Sequence, residues 1–251
     1  MVAEPDPWTR LRGLTPARIG LGQSGGSLPT GAHLSFQLAH ARARDAVHER
    51  LDPSALVARL AAIGLAAVTV RSAAPDRITY LQRPDLGRRL EPEWRDGLGR
   101  ATAERSAPFD VCFIIADGLS APAAERHAPA VLAALASRLA AEDWRLAPVV
   151  VVEQGRVGIG DEIGAVCGAQ MVAVLLGERP GLSSPDSLGI YVTWAPAVGR
   201  RDADRNCISN VRPEGLPPEL AADRLHFLLS EARRRKLTGI ALKDDSRLLR
   251  E

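Results

Sequence analysis

Four runs in this chain are apolar almost without interruption: VCFIIA (111–116), VVVV (149–152), MVAVLLG (171–177) and LGIYV (188–192). A strand with one wet face alternates apolar and polar residues, whereas a strand buried on both faces reads as a continuous apolar run. Helix-like segments separate the first three runs. Over residues 122–142, Val131, Leu132, Leu135 and Leu139 fall on one face, and GIGDEIGAVCGA (158–169) is the next candidate. Buried strands alternating with helices predict a mainly parallel sheet covered on both faces, a doubly wound α/β arrangement.

The first hundred residues read differently. From His33, the residues Leu34, Leu38, Ala41, Val47 and Leu51 keep near-helical spacing, with Thr30 and Ser35 as candidate caps. Asp52 and Pro53 are a helix-start pair, and Gly64 is a stop. AAVTVR (66–71) is a short strand candidate, residues 75–90 read as a loop, and a helix follows near 91–105. Near the other end, PPELAADRLHFLLSEARRRK (217–236) is amphipathic, with Leu225, Leu228, Leu229 and Ala232 on one face. These patterns predict a smaller, mostly helical N-terminal domain over 1–104 and the doubly wound domain over 105–251.

Composition excludes several classes. The net charge of +2 over 251 residues gives no drive toward nucleic acid or an anionic membrane. The one basic run, Arg233 to Lys236, closes a helix and complements its dipole. Three cysteines, Cys112, Cys167 and Cys207, show no CxxC and no Cys/His ligand spacing, so no metal site is expected and a reducing, cytoplasmic setting fits. The start of the chain does not read as a signal peptide, and no stretch approaches the roughly 20 apolar residues of a membrane span.

In an open parallel sheet, ligands sit beyond the carboxyl ends of the strands. Here those ends are Asp117-Gly118-Leu119-Ser120, Glu153-Gln154-Gly155-Arg156-Val157 and Gly177-Glu178-Arg179-Pro180-Gly181, all rich in glycine and polar residues. A dinucleotide fingerprint is missing. Gly158-Ile159-Gly160 lacks the third glycine, and Asp161 and Glu162 would repel a pyrophosphate at the helix start. There is no GxxxxGK[ST] and no GxSxG, so a stand-alone nicotinamide oxidoreductase and a serine hydrolase are both disfavoured. His33, His40 and His48 share a stripe, but not at the i, i+4 spacing of a ligand pair. From bare sequence Cys207 reads as an ordinary buried thiol, and Arg179 as one half of an ion pair holding its loop. The residues alone point to an α/β protein with a crevice for an uncharged or mildly polar ligand.

The same strand ends carry a resemblance. RPDLGRRL (83–90), IADGLSA (115–121), GRVGIGDEIG (155–164), LLGERPGL (175–182), DRNCISN (204–210) and the N-terminal stretch 17–48 resemble, in collinear order, the small subunit of ethanolamine ammonia-lyase. The tail after Lys243 and the first dozen residues match poorly. The resemblance implies a Rossmann-like domain and an enzyme that uses adenosylcobalamin to convert ethanolamine to acetaldehyde and ammonia through a 5′-deoxyadenosyl radical. It further implies that a large subunit holds ethanolamine in a barrel and that the cofactor lies between the two subunits.

Three cofactor-contacting positions carry over by motif: the valine of GRV, the glutamate of GERPGL and the cysteine of DRNCISN, here Val157, Glu178 and Cys207. No residue of this chain is expected to do catalysis itself. Because no DxHxxG motif occurs, no cobalt ligand is expected either, and His127 in ERHAPA lacks the flanking residues. The expected setting is cytoplasmic, with packaging in a bacterial microcompartment left open. The competing expectation is an assembly or solubility subunit whose cofactor contact is incidental.

Overall fold

The computed structural model describes residues 8–103 and 107–245. Helices α1 (Trp8–Arg12), α2 (Thr30–His48) and α3 (Pro53–Ala62) come first, then β1 (Ala67–Arg71), α4 (Arg77–Gln82) and α5 (Pro92–Ala101). The series continues with β2 (Phe109–Ala116), α6 (Ala121–Ala141), β3 (Val149–Glu153), α7 (Ile159–Cys167), β4 (Ala169–Gly177), β5 (Leu188–Trp194), β6 (Arg205–Val211) and α8 (Pro218–Arg235). The fold is α/β, built on one six-stranded mixed sheet in the order β1-β3-β2-β4-β5-β6. The position expected to divide two domains, 104–105, touches residues outside the described ones. The sheet itself draws on both sides of that position, because β1 pairs with β3 in parallel from Ala67↔Val149 to Arg71↔Glu153.

The continuous apolar runs have the expected cause. Alternate residues of each strand feed two cores, one on each face. Val111, Phe113 and Ile115 of β2 join Leu132 and Leu135 of α6 and Leu225 and Leu229 of α8, together with Leu56 and Leu60 of α3. Their neighbours Cys112, Ile114 and Ala116 pack on the opposite face with Ile159 and Ile163 of α7 and Leu98 of α5. The period of two is intact; both phases are apolar because both faces are covered.

The sheet is mainly parallel, as expected: β1 to β4 run parallel, while β5 is antiparallel to β4 and β6 antiparallel to β5. Other expectations need correction. The sequence shows no apolar run at β6, because only Arg205, Ile208 and Val211 of its seven residues are buried. Residues 75–90 contain α4, whose six residues are too short to show a helical period; Asp76 caps it by accepting from the Thr79 N–H at 2.8 Å. Neither Thr30 nor Ser35 caps α2, which starts after Pro29 without a side-chain cap.

The winding creates one crevice. From β2 the chain crosses through α6 to β3 on one side, and from β3 it returns through α7, past β2, to β4 on the other. The connections leaving the carboxyl ends of neighbouring β2 and β4 lead apart, to β3 on one side and to β5 on the other. Two glycines shape it. Gly118 has φ +56°, and a Cβ there would lie 2.2 Å from the Gly177 carbonyl oxygen. A Cβ on Gly177 would lie 2.0 Å from the Ser120 carbonyl oxygen. The two strand ends approach so closely that neither position has room for a side chain.

Candidate functional site

The crevice is braced from below by Asp117, the first residue after β2. It is 1% exposed and accepts hydrogen bonds from the N–H groups of Gln154 (3.1 Å) and Gly155 (3.0 Å) and from Arg77 Nη1 (3.2 Å). Burial pushes its carboxyl up to about 6, against the opposing pull of Arg77 and the backbone N–H groups. Arg77, on α4, also donates to the Gly118 carbonyl at 2.9 Å and to Val47 at 2.6 Å. Tyr80, one turn along α4, donates its hydroxyl to the Gly155 carbonyl at 2.9 Å. The guanidinium groups of Arg77 and Arg156 lie over its ring at 4.8 and 4.3 Å. Burial raises the Tyr80 phenol, so it remains protonated at neutral pH. These contacts lock the ends of β2 and β3 to α4.

Above this brace lies a cavity of about 420 Å³, lined by Tyr80, Leu119, Arg156, Glu178, Tyr191 and Ser209 among others. Glu178 stands directly after β4. Its Oε2 accepts from Ser187 Oγ at 2.5 Å and from the Asn210 N–H at 3.2 Å, and its Oε1 accepts from Ser209 Oγ at 2.6 Å. Gly189 makes room for it: a Cβ there would be 2.9 Å from Oε1. Arg179 lines the same cavity but is exposed, and among the described residues it forms no ion pair. The expected Arg179 pair is thus replaced by serine and backbone donors to Glu178.

Cys207 is exposed on β6, not buried as bare sequence suggested. It lies opposite Tyr191 of β5 in register. The reason is the covering of the sheet. Helix α8 packs on one face of β5 and β6, while on the other face Cys207 and Ser209 remain open. Partial burial still raises the Cys207 thiol, so it is no thiolate at neutral pH.

Glu178, Tyr191, Cys207 and Ser209 therefore form one continuous surface. Val157 falls next to it in a separate cavity of about 280 Å³, while its chain neighbour Arg156 lines the first. The structure thus brings Glu178 and Cys207 together around Tyr191 and sets Val157 one residue away.

The acids expected to repel an anion are not free. Asp161, 2% exposed, is gripped by Arg205 through Oδ1 to Nη1 at 2.8 Å and Oδ2 to Nη2 at 2.6 Å. Glu162 accepts from the Leu90 N–H at 2.8 Å and pairs with Arg95 at 3.3 Å. Sequence reasoning missed Tyr80, Arg156, Tyr191 and Arg205 as parts of this region. Arg156 and Arg205 had a signal, since they stand inside the GRV and DRNCISN motifs. The crevice offers one aromatic face, Tyr191, together with guanidinium groups and a carboxylate, which suits a largely apolar ligand with a polar fringe.

Comparison with known proteins is consistent across the chain. Residues 5–243 match the family model described as ethanolamine ammonia-lyase light chain (EutC). The chain is 58% identical over 248 residues to the protein named ethanolamine ammonia-lyase small subunit from Azotobacter vinelandii, covering 99% of this chain and 92% of that relative. The protein of the same name from Xanthomonas campestris pv. campestris (strain B100) is 57% identical over 241 residues, 96% of this chain and 89% of the relative. The one from Pseudomonas syringae pv. tomato is 55% identical over 246 residues, 98% and 86% respectively.

Proposed function

Because the chain belongs to the ethanolamine ammonia-lyase light-chain family and is a small subunit of that lyase, we propose that its crevice closes an adenosylcobalamin site against a large partner subunit holding ethanolamine. In this reading the parallel strands act as a Rossmann-like unit, and residues 105–251 form the cofactor-contacting domain. When bound, the cofactor supplies a cobalt–carbon bond that breaks homolytically and starts the radical conversion of ethanolamine to acetaldehyde and ammonia.

The residues present fit such a group. Arg156 Nε is buried and has no hydrogen-bond partner; a buried N–H of that kind gains from an acceptor brought by a ligand. Glu178 Oε1 has one donor, Ser209, and a carboxylate oxygen accepts two, so an amide or hydroxyl of the cofactor fringe can be held there. Tyr191 and the protonated Cys207 offer an apolar, soft surface beside it, and Val157 an apolar contact at the neighbouring cavity. This chain's residues bind and orient; with the partner in place they exclude water from the reacting groups. What supports the reading most is the convergence of Glu178, Tyr191 and Cys207 on one open face.

The test uses the complex of this chain with its large subunit, titrated with adenosylcobalamin and followed by absorbance. Glu178→Gln keeps the shape but removes the charge. Loss of a charge-assisted hydrogen bond of about 1.5–3 kcal/mol predicts an affinity at least about tenfold weaker, with assembly unchanged. Wild-type affinity in a correctly assembled Glu178→Gln complex would favour the assembly role instead. No cofactor uptake by the wild-type complex would end the cofactor reading.

A further inference from the structure

From Trp8 to Asp45 no residue is buried, yet the segment is not a polar one. Leu11, Leu14, Leu28, Leu34, Phe36 and Leu38 are all exposed. From Ile19 to Ala41 there is no aspartate, glutamate, lysine or arginine, whereas 25% of the chain is charged. Loss of charge with leucine and phenylalanine kept is the composition of an interface core, not of a surface left in water. The pattern on α2 narrows the geometry. Leu34 and Leu38 lie one turn apart on one side of the helix, and Phe36, about 200° round from Leu34, lies on the other. A helix that is apolar on opposite sides matches a groove that covers both, rather than a flat surface.

We propose that the first half of α2, with the segment leading into it, is a docking arm that inserts into an apolar groove of the large partner subunit. Continuity with the crevice selects this occupant. Near the start of the arm, Arg18 donates to the Leu182 carbonyl and to Ser183 Oγ, both at 3.4 Å, and Ser183 Oγ donates to the Pro16 carbonyl at 3.1 Å. Leu182 is itself exposed and closes the GERPGL stretch that carries Glu178. At the far end of α2, the Val47 carbonyl accepts from Arg77, the same side chain that holds Asp117 and Gly118 below the crevice. Both ends of the arm are thus fastened to the crevice walls, and a subunit that closes the crevice meets the arm as well. The cavities at the crevice, beside Val157 and between α2 and α6 are all lined by charged side chains, a poor match for an uncharged helix from a second copy of this chain. The choice of occupant rests on the crevice reading given above; the exposed apolar surface does not.

The test uses the full chain and its large subunit. Hydrogen exchange is followed on the chain alone and in the complex. Amides from Leu34 to Ala41 should exchange at least about tenfold more slowly once the large subunit is bound, and unchanged exchange there overturns the proposal. The variant Leu34→Gln/Phe36→Gln/Leu38→Gln removes the apolar contact with a residue that suits a helix. Circular dichroism and the melting curve of the isolated variant should match wild type, since none of the three side chains is buried. Its dissociation constant for the large subunit, read by sedimentation, should rise at least about thirtyfold, the loss of one hot-spot side chain. Assembly with wild-type affinity overturns the proposal. So does self-association of the isolated chain that protects α2 and is unaffected by the large subunit, which makes a second copy the occupant. The crevice is judged separately. A wild-type complex that protects α2 but takes up no adenosylcobalamin leaves the arm standing and ends the cofactor reading. An arm variant with normal assembly and normal cofactor uptake does the reverse.

Discussion

Asp117 pairs with an arginine and two backbone N–H groups, yet burial wins and its carboxyl rises to about 6 from the ordinary 3.8. A folded-state value above the unfolded one means that the folded chain holds the proton more tightly. This group's contribution to stability is therefore complete below about 3.8 and is lost as pH rises through about 6. Urea midpoints of wild type and Asp117→Asn across that window check the sign. Wild type should lose stability relative to the variant as pH rises, and a pH-independent difference between them would contradict it. None of this was legible in the sequence beyond the position of Asp117 at a strand end. Its partner Arg77 is 40 residues away in the chain, and only the fold places the two together. Glu178 and Cys207 were legible through their motifs, but their exposure was not, because exposure depends on which helix covers which sheet face.

Among the elements, β2, β3 and β4 could be read directly, since burial on both faces leaves a continuous apolar signature. The direction of β5 could not be read, because an apolar strand looks alike run either way. Helix α6 was legible despite Pro129, nine residues into its 21. A proline has no N–H, so the Glu125 carbonyl loses its helical donor. Arg59 of α3 supplies the replacement, donating through Nη1 to the Glu125 oxygen at 2.5 Å. Arg59→Ala should destabilise the chain by about 1 kcal/mol in urea unfolding. In a Pro129→Ala background, where the helix restores its own donor, most of that loss should disappear; a fully additive double-mutant cycle would refute the link.

At the scale of the molecule, stability is unevenly spread. Strands β2 and β4 are buried almost throughout. Helix α2, 19 residues long, buries only Ala46 and leaves Leu34, Phe36 and Leu38 at 58, 41 and 54% exposure. A helix of that length with so little tertiary packing is marginal on its own. Hydrogen exchange on the isolated chain should therefore find α2 amides far less protected than those of α6, and equal protection in the two helices would contradict this. The absence of a helix long and apolar enough to cross a membrane, among the described residues, fits the scattered charge of the sequence.

The grip of Arg205 on Asp161 ties α7 to the outermost strand, with both side chains almost wholly out of water. Removing one partner leaves a bare charge in the interior, which is strongly destabilising, whereas replacing both with well-packed apolar residues need not be. For descent, the two positions behave as a single hereditary unit. A change at both in concert costs less than a change at either alone, which ties the acid in the helix's first turn to the base that opens the strand as one heritable unit.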